Sequence, residues 1–105
     1  MNNLEKIAEL KSLEKITEHI IEKYYSVLEK CDMMIYNYRD YMTTAPIDCN
    51  AELRRIETSD FETLCALLTM LLREDHFSNG SFERRIKAGQ VKKIVDRIVF
   101  LLENN

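Results

Sequence analysis

The sequence predicts an all-α fold: a compact bundle of five or six helices with a central buried helix near residues 59–75. The chain has 105 residues but only two glycines and one proline, whereas all-β chains need both residue types for their tight turns. Apolar side chains recur at steps of three and four residues, as on one face of a helix. The length is that of one domain, so we expect residues 1–105 to form a single helical domain.

The first 30 residues predict a long N-terminal helix. Asn2 or Asn3 suits its N-cap. Its second half carries one apolar stripe, formed by Leu13, Ile16, Ile20, Tyr24, Val27 and Leu28. The apolar residues before Ser12 step by three and drift away from this stripe, so we expect a kink or a break near Ser12.

Residues 31–58 predict short helices separated by one break. A segment rich in tyrosine and methionine favours a short helix that ends at Met42. Pro46 disfavours helical backbone in the residue before it, which predicts an irregular stretch there. A second short helix is expected from Asn50 to Ile56.

The strongest local signal begins the central helix. Ser59 and Glu62 have the spacing of a capping box, in which each residue bonds the backbone of the other. The apolar side chains that follow cover more than half of the helical circumference. Such a helix is usually buried in the middle of its fold.

Two glycines divide the last third of the chain. Gly80 suits the turn that ends the central helix, and Gly89 suits the left-handed position that ends a short helix begun at Ser81. The last helix is predicted from Gln90 to Glu103. Phe100 points away from its apolar face, so it is free to meet a partner, and a homodimer is one option.

Charge is distributed unevenly. Residues 1–62 carry 13 acidic and 8 basic side chains, whereas residues 63–105 carry 5 acidic and 7 basic. An acidic face could dock on a basic partner, although helical surfaces usually carry mixed charge. The pI of about 5.4 disfavours nucleic acid, whose partners are normally strongly basic.

The motifs of several other protein classes are absent from the sequence. The three cysteines lack a paired spacing and favour reduced thiols. Neither a signal peptide nor an apolar run of 18 residues is present, so we expect a cytoplasmic protein that does not enter a membrane. Metal spacings, phosphate-binding loops and hydrolase motifs are missing, so no metal or cofactor is expected. We expect no catalysis, but a missing motif leaves that question open.

One polar cluster stands at the end of the central helix. The candidate binding residues are Arg73, Glu74, His76, Phe77, Arg84 and Arg85. One interpretation is a buried ion pair in which Arg73 holds a carboxylate while His76 sits at the solvated helix end. The other is a pocket for a small anion or a peptide between Arg73, His76 and one of the two later arginines.

A second cluster is a candidate contact surface. Its residues are Met33, Met34, Tyr36, Tyr38 and Tyr41, to which Phe100 is added. Tyrosine and methionine are enriched at protein interfaces because they bury area and tolerate a polar edge. The alternative is that these side chains seal one end of the bundle.

Residues 63–80 resemble the signature of a small uncharacterised family of all-helical bacterial and phage proteins. In that family, a leucine-rich helix carries a threonine and ends in a cluster of basic and aromatic residues before a glycine. The matching residues are Thr69, Arg73, Glu74, His76, Phe77 and Gly80, with His76 where arginine is commoner. The resemblance extends over residues 20–102 and implies an all-helical domain of unknown function with no assigned catalytic residue.

The expected function is a small cytoplasmic protein-interaction module whose partner is another protein. The first alternative is a phage-encoded inhibitor of a host defence nuclease complex, comparable to an anti-CRISPR protein, that acts through its acidic face. The second is a small ligand-binding or hydrolytic domain that uses Arg73 and His76.

Overall fold

The computed structural model describes residues 1–104 and contains six α-helices in that range. They are α1 (Asn3–Ser12), α2 (Ile20–Lys30), α3 (Cys49–Glu52), α4 (Phe61–Phe77), α5 (Ser81–Lys87) and α6 (Gln90–Glu103). Short 3₁₀ segments span Leu13–Lys15, Tyr38–Tyr41 and Leu53–Thr58, and residues 1–104 contain no β-strand. The predicted all-α bundle is therefore confirmed.

Helix α4 lies at the centre of the core. Residues 64–72 are buried without interruption, which explains why apolar side chains surround this helix. Helices α5 and α6 and the 3₁₀ segment Tyr38–Tyr41 pack against it, and α1 packs on α6. The predicted central helix is confirmed, with its ends two residues later than expected.

The N-cap of α4 is Asp60, which corrects the predicted Ser59. The Asp60 carboxylate accepts a hydrogen bond from the Thr63 backbone N–H at 2.8 Å. Ser59 Oγ instead donates to the Arg55 carbonyl at 2.7 Å, which ends the preceding 3₁₀ segment. Both residues favour an N-cap, and the structure uses the one nearer the helix.

The N-terminal helix predicted over residues 1–30 is two separate helices. Asn2 caps α1 in a reciprocal capping box with Glu5, and α1 ends at Ser12. The chain then turns through Leu13–Lys15 and reaches α2 through His19, whose φ of 52° is left-handed. The break is wider than a kink because the two apolar stripes lie on different helical faces, and one straight helix cannot bury both.

The segment between α2 and α3 folds back onto α4. The Ile35 backbone N–H donates to Thr69 Oγ1 at 3.2 Å, and Thr69 Oγ1 donates to the Cys65 carbonyl at 2.8 Å. Thr69 is 1% exposed, so a buried hydroxyl on α4 fixes this irregular segment. The helix expected to end at Met42 is only the 3₁₀ segment Tyr38–Tyr41.

Both glycines stand where left-handed backbone is required. Gly80 has φ of 84° and Gly89 has φ of 80°, directly before α5 and α6. Ser81 does not cap α5 with its side chain. Asp75 on α4 accepts a hydrogen bond from the Phe82 backbone N–H at 3.1 Å and supplies this function across the turn. Within residues 1–104, no helix has the length and apolar character needed to cross a membrane.

Candidate functional site

An open groove of about 1000 Å³ lies between residues 44–50 and the C-terminal half of α4. Tyr38 and Met70 contribute from the core and are 9% and 2% exposed. Phe77, at the end of α4, also lines the groove but is 80% exposed. We call this site the Phe77 groove.

One wall of the Phe77 groove is organised by a buried carboxylate, Glu52. Its side chain is fully buried and accepts hydrogen bonds from the backbone N–H groups of Thr43 and Thr44, at 2.9 and 2.8 Å. Both threonine hydroxyls donate to it as well. Arg55 Nη1 donates at 2.7 Å and supplies the compensating charge.

These contacts keep Glu52 ionised. Burial alone would raise the pKa of this carboxyl, but the hydrogen bonds from Thr44, Arg55 and Thr43 outweigh it and lower the pKa to about 2. Arg55 also donates to the Tyr41 carbonyl at 2.9 Å. The loop that contains Pro46 is therefore anchored at its base.

The other wall contains an ion pair between Arg85 on α5 and Glu74 on α4. Arg85 Nε and Nη2 donate to the two Glu74 carboxylate oxygens, and Nη1 donates to Asn50 Oδ1 at 2.6 Å and to Gln90 Oε1 at 3.1 Å. Partial burial would raise the pKa of Glu74, but Arg85 offsets it and the pKa lies below its ordinary value. Four of the five N–H donors of Arg85 are used, which leaves little capacity for an anionic ligand.

The groove offers no reactive thiol at neutral pH. Burial, assisted by the negative charge of Glu74, raises the pKa of Cys49 to about 11. Nucleophilic catalysis requires the thiolate, which is a minor species at that pKa.

The structure divides the predicted binding residues into two groups. Glu74, Phe77 and Arg85 line the Phe77 groove, whereas Arg73 and His76 are exposed and do not. Arg84 is exposed as well and donates to Ser78 Oγ at 3.2 Å.

The ion pair expected at this helix end exists, but its cation is Arg85. The prediction that Arg73 holds the carboxylate is wrong. Arg73 lies one residue before Glu74, about 100° away around the helix, where it points into solvent. An arginine from the next helix reaches Glu74 instead.

The predicted contact surface is also divided. Met33 is 0% exposed and Tyr38 is 9% exposed, so both belong to the core, because their segment folds back onto α4. Met34 and Tyr41 are half-buried, and Tyr41 donates to Glu62 at 2.8 Å.

Tyr36 and Phe100 remain accessible, at 77% and 48% exposed. The Arg97 guanidinium lies 4.8 Å from the Phe100 ring centroid. Their use as contacts, including a homodimer through Phe100, stays a prediction.

Sequence reasoning missed Glu52. It also missed residues 44–50, which form a wall of the groove. The available signals were a Thr-Thr pair shortly before Pro46 and an arginine three residues after Glu52. Neither signal predicts burial, because only the fold places the threonines over the carboxylate. Among residues 1–104, no three His, Cys, Asp or Glu side chains are grouped as metal ligands.

Comparison with known families matches most of the chain to a family model. The model described as "Family of unknown function (DUF6508)" matches residues 9–104. No curated protein and no solved structure matches the chain.

Proposed function

The chain belongs to this family of unknown function, and we propose that it is a protein-interaction module that binds an extended segment of another protein in the Phe77 groove. The observation that carries the proposal is the 80% exposure of Phe77 beside a groove with apolar core side chains. Exposed aromatic residues beside pockets are typical anchors of protein interfaces.

The walls of the groove support this proposal because they are held in place before any partner arrives. Glu52 fixes the loop on one side, and the Arg85–Glu74 pair fixes α5 against α4 on the other. A site that is already ordered loses less conformational entropy on binding. The proline-containing wall then presents a fixed shape to a peptide beside the Phe77 ring.

Charge in the groove indicates the chemistry of the peptide. Glu74 neutralises Arg85, whereas two exposed lining side chains, Arg39 and Asp48, form no ion pair among residues 1–104. We therefore propose a segment with one large apolar side chain against Phe77 and one carboxylate near Arg39. Cytoplasmic location and a bacterial or phage origin are part of the same proposal.

The experiment is a selection of displayed peptides on the folded protein, with counter-selection on Phe77→Ser. We expect enriched peptides that combine an apolar anchor with an acidic residue. NMR chemical-shift changes should map to residues 44–50 and the end of α4. Enrichment that counter-selection removes, or shifts that map elsewhere, would contradict the proposal.

The charge distribution supports a second candidate, a phage-encoded inhibitor that docks on a basic host defence nuclease complex. Every acidic side chain in residues 1–62 except Glu9 and Glu52 is exposed. Electrostatic docking of this kind weakens steeply with salt. Salt-sensitive inhibition of such a nuclease, unchanged by Phe77→Ser, would favour this function over the peptide-binding one.

A further inference from the structure

A second, smaller cavity of about 280 Å³ lies apart from the Phe77 groove and shares no lining residue with it. Residues around the α1–α2 break form one side, and α5 and α6 form the other. The apolar wall includes Leu13, Ile16, Ile20, Ile86, Val91 and Val95. This volume lies near the lower limit for ligand pockets, so it suits a ligand of about ten non-hydrogen atoms or fewer.

One polar group in this wall has no partner. Tyr24 is 7% exposed and lines the cavity; its hydroxyl has no hydrogen-bond partner among residues 1–104 and still reaches solvent. The Tyr24 ring is held edge-on by Phe82, with centroids 4.9 Å apart. A hydroxyl that lines a cavity without a protein partner is available to bond a ligand.

The remaining polar groups that line the cavity carry an excess of negative charge. Lys92 Nζ lies 3.6 Å from a Glu14 carboxylate oxygen and 3.2 Å from one of Asp96. Two carboxylates and one ammonium group leave about one negative charge. Such a site repels a carboxylate or phosphate headgroup and attracts a cation.

We infer that this cavity binds a small primary amine with a short apolar tail. The tail occupies the aliphatic wall, and the ammonium group interacts with Glu14 and Asp96. The Tyr24 hydroxyl accepts one of its hydrogen bonds. The apolar wall and small volume exclude sugars and nucleotides, which need many polar partners.

The test is an NMR titration with n-hexylamine, n-hexanol and hexanoate, which share one tail and differ in headgroup charge. We expect saturable shifts at Tyr24, Val91 and Val95. Hexylamine should bind at least about tenfold more tightly than hexanoate, and the affinity of hexanol should lie between those of the other two. Absence of saturation with hexylamine, or a preference for hexanoate, would overturn the inference.

Variants of the polar lining residues separate a specific site from general apolar binding. The double variant Glu14→Gln with Asp96→Asn should weaken hexylamine about tenfold and leave hexanol unchanged. Tyr24→Phe should weaken hexylamine about fivefold through the lost hydrogen bond. Phe77→Ser should change neither affinity, so this result is independent of peptide binding. Hexylamine affinity unchanged in the double variant would contradict the assigned role of charge.

Discussion

Arg85 and Glu74 face each other across α5 and α4 and form two parallel hydrogen bonds, Nε to Oε1 at 3.1 Å and Nη2 to Oε2 at 2.8 Å. Through Nη1, Arg85 also reaches Asn50 on α3 at 2.6 Å. It also donates to Gln90 on α6, so one guanidinium joins four helices at the edge of the Phe77 groove. Lysine cannot reproduce this planar, bidentate arrangement.

Replacement of Arg85 should destabilise the fold. Arg85→Met leaves the partly buried Glu74 carboxylate and Asn50 without their donors, and we expect the free energy of unfolding to fall by about 2 kcal/mol. Urea denaturation measures this change. Arg84→Met is the matched control and should change stability by less than about 0.5 kcal/mol, because Arg84 is exposed. Equal losses in both variants would refute the role assigned to Arg85.

Replacement of Glu52 tests the anchor of the opposite wall. Glu52→Gln replaces one acceptor oxygen with an NH₂ donor, which then faces the donors of Thr44 or Arg55. It also removes the negative charge that balances Arg55. We expect a loss of about 3 kcal/mol in the free energy of unfolding at pH 7. Glu57→Gln is the exposed control on the next 3₁₀ segment and should be nearly neutral. A loss below about 1 kcal/mol would mean that the loop is held by other contacts.

The pH dependence of stability follows from the same carboxylate. The pKa of Glu52 is about 2 in the folded protein, against an ordinary value of 4.5, so the unfolded chain binds the proton more tightly. Its stabilisation is complete above about pH 4.5 and is lost as the pH falls through about 2. The full contribution corresponds to about 3 kcal/mol.

We therefore expect wild type and Glu52→Gln to differ by about 3 kcal/mol at pH 6 and to converge near pH 2. Denaturant melts of both proteins at four or five pH values measure this difference. A difference that stays constant with pH would show that ionisation of Glu52 does not contribute.

Thr69 should control the order of the segment after α2. Thr69→Val keeps the shape of the side chain but leaves the Ile35 N–H without an acceptor, at a cost of about 1–2 kcal/mol. Hydrogen exchange of the Ile35 amide should become markedly faster, while amides in the middle of α4 keep their relative protection. Thr17→Val, at an exposed position, is the control. Unchanged exchange at Ile35 would contradict the assigned hydrogen bond.

Local signals in the sequence predicted the long helices well. Two features depend only on neighbouring residues in the chain: the apolar side chains all around α4, and the left-handed glycines before α5 and α6. They can therefore be predicted without knowledge of the fold. The N-terminal break was predicted near Ser12, but its width was not. A left-handed His19 has no clear sequence signal.

The candidate site was predictable only in part. Glu74, Phe77 and Arg85 were identified because they cluster at a helix end, yet the arginine that pairs with Glu74 depends on how α5 returns across α4. Met33 and Tyr38 are residue types that are common at interfaces, but the structure buries both in the core. Periodicity does not separate these roles in an irregular segment. The Glu52 network is non-local and polar, so no pattern of apolar residues indicates it.

The central claim is that Phe77 anchors a bound peptide, and the affinity of a peptide selected on the wild-type protein alone, without counter-selection, tests it most directly. Fluorescence anisotropy measures the affinity of the peptide for wild type, for Phe77→Ser and for Phe100→Ser. The last variant is a control that removes another exposed aromatic side chain. We expect Phe77→Ser to weaken binding at least about tenfold without loss of stability, and Phe100→Ser to leave it unchanged. Equal affinity for wild type and Phe77→Ser would contradict the account.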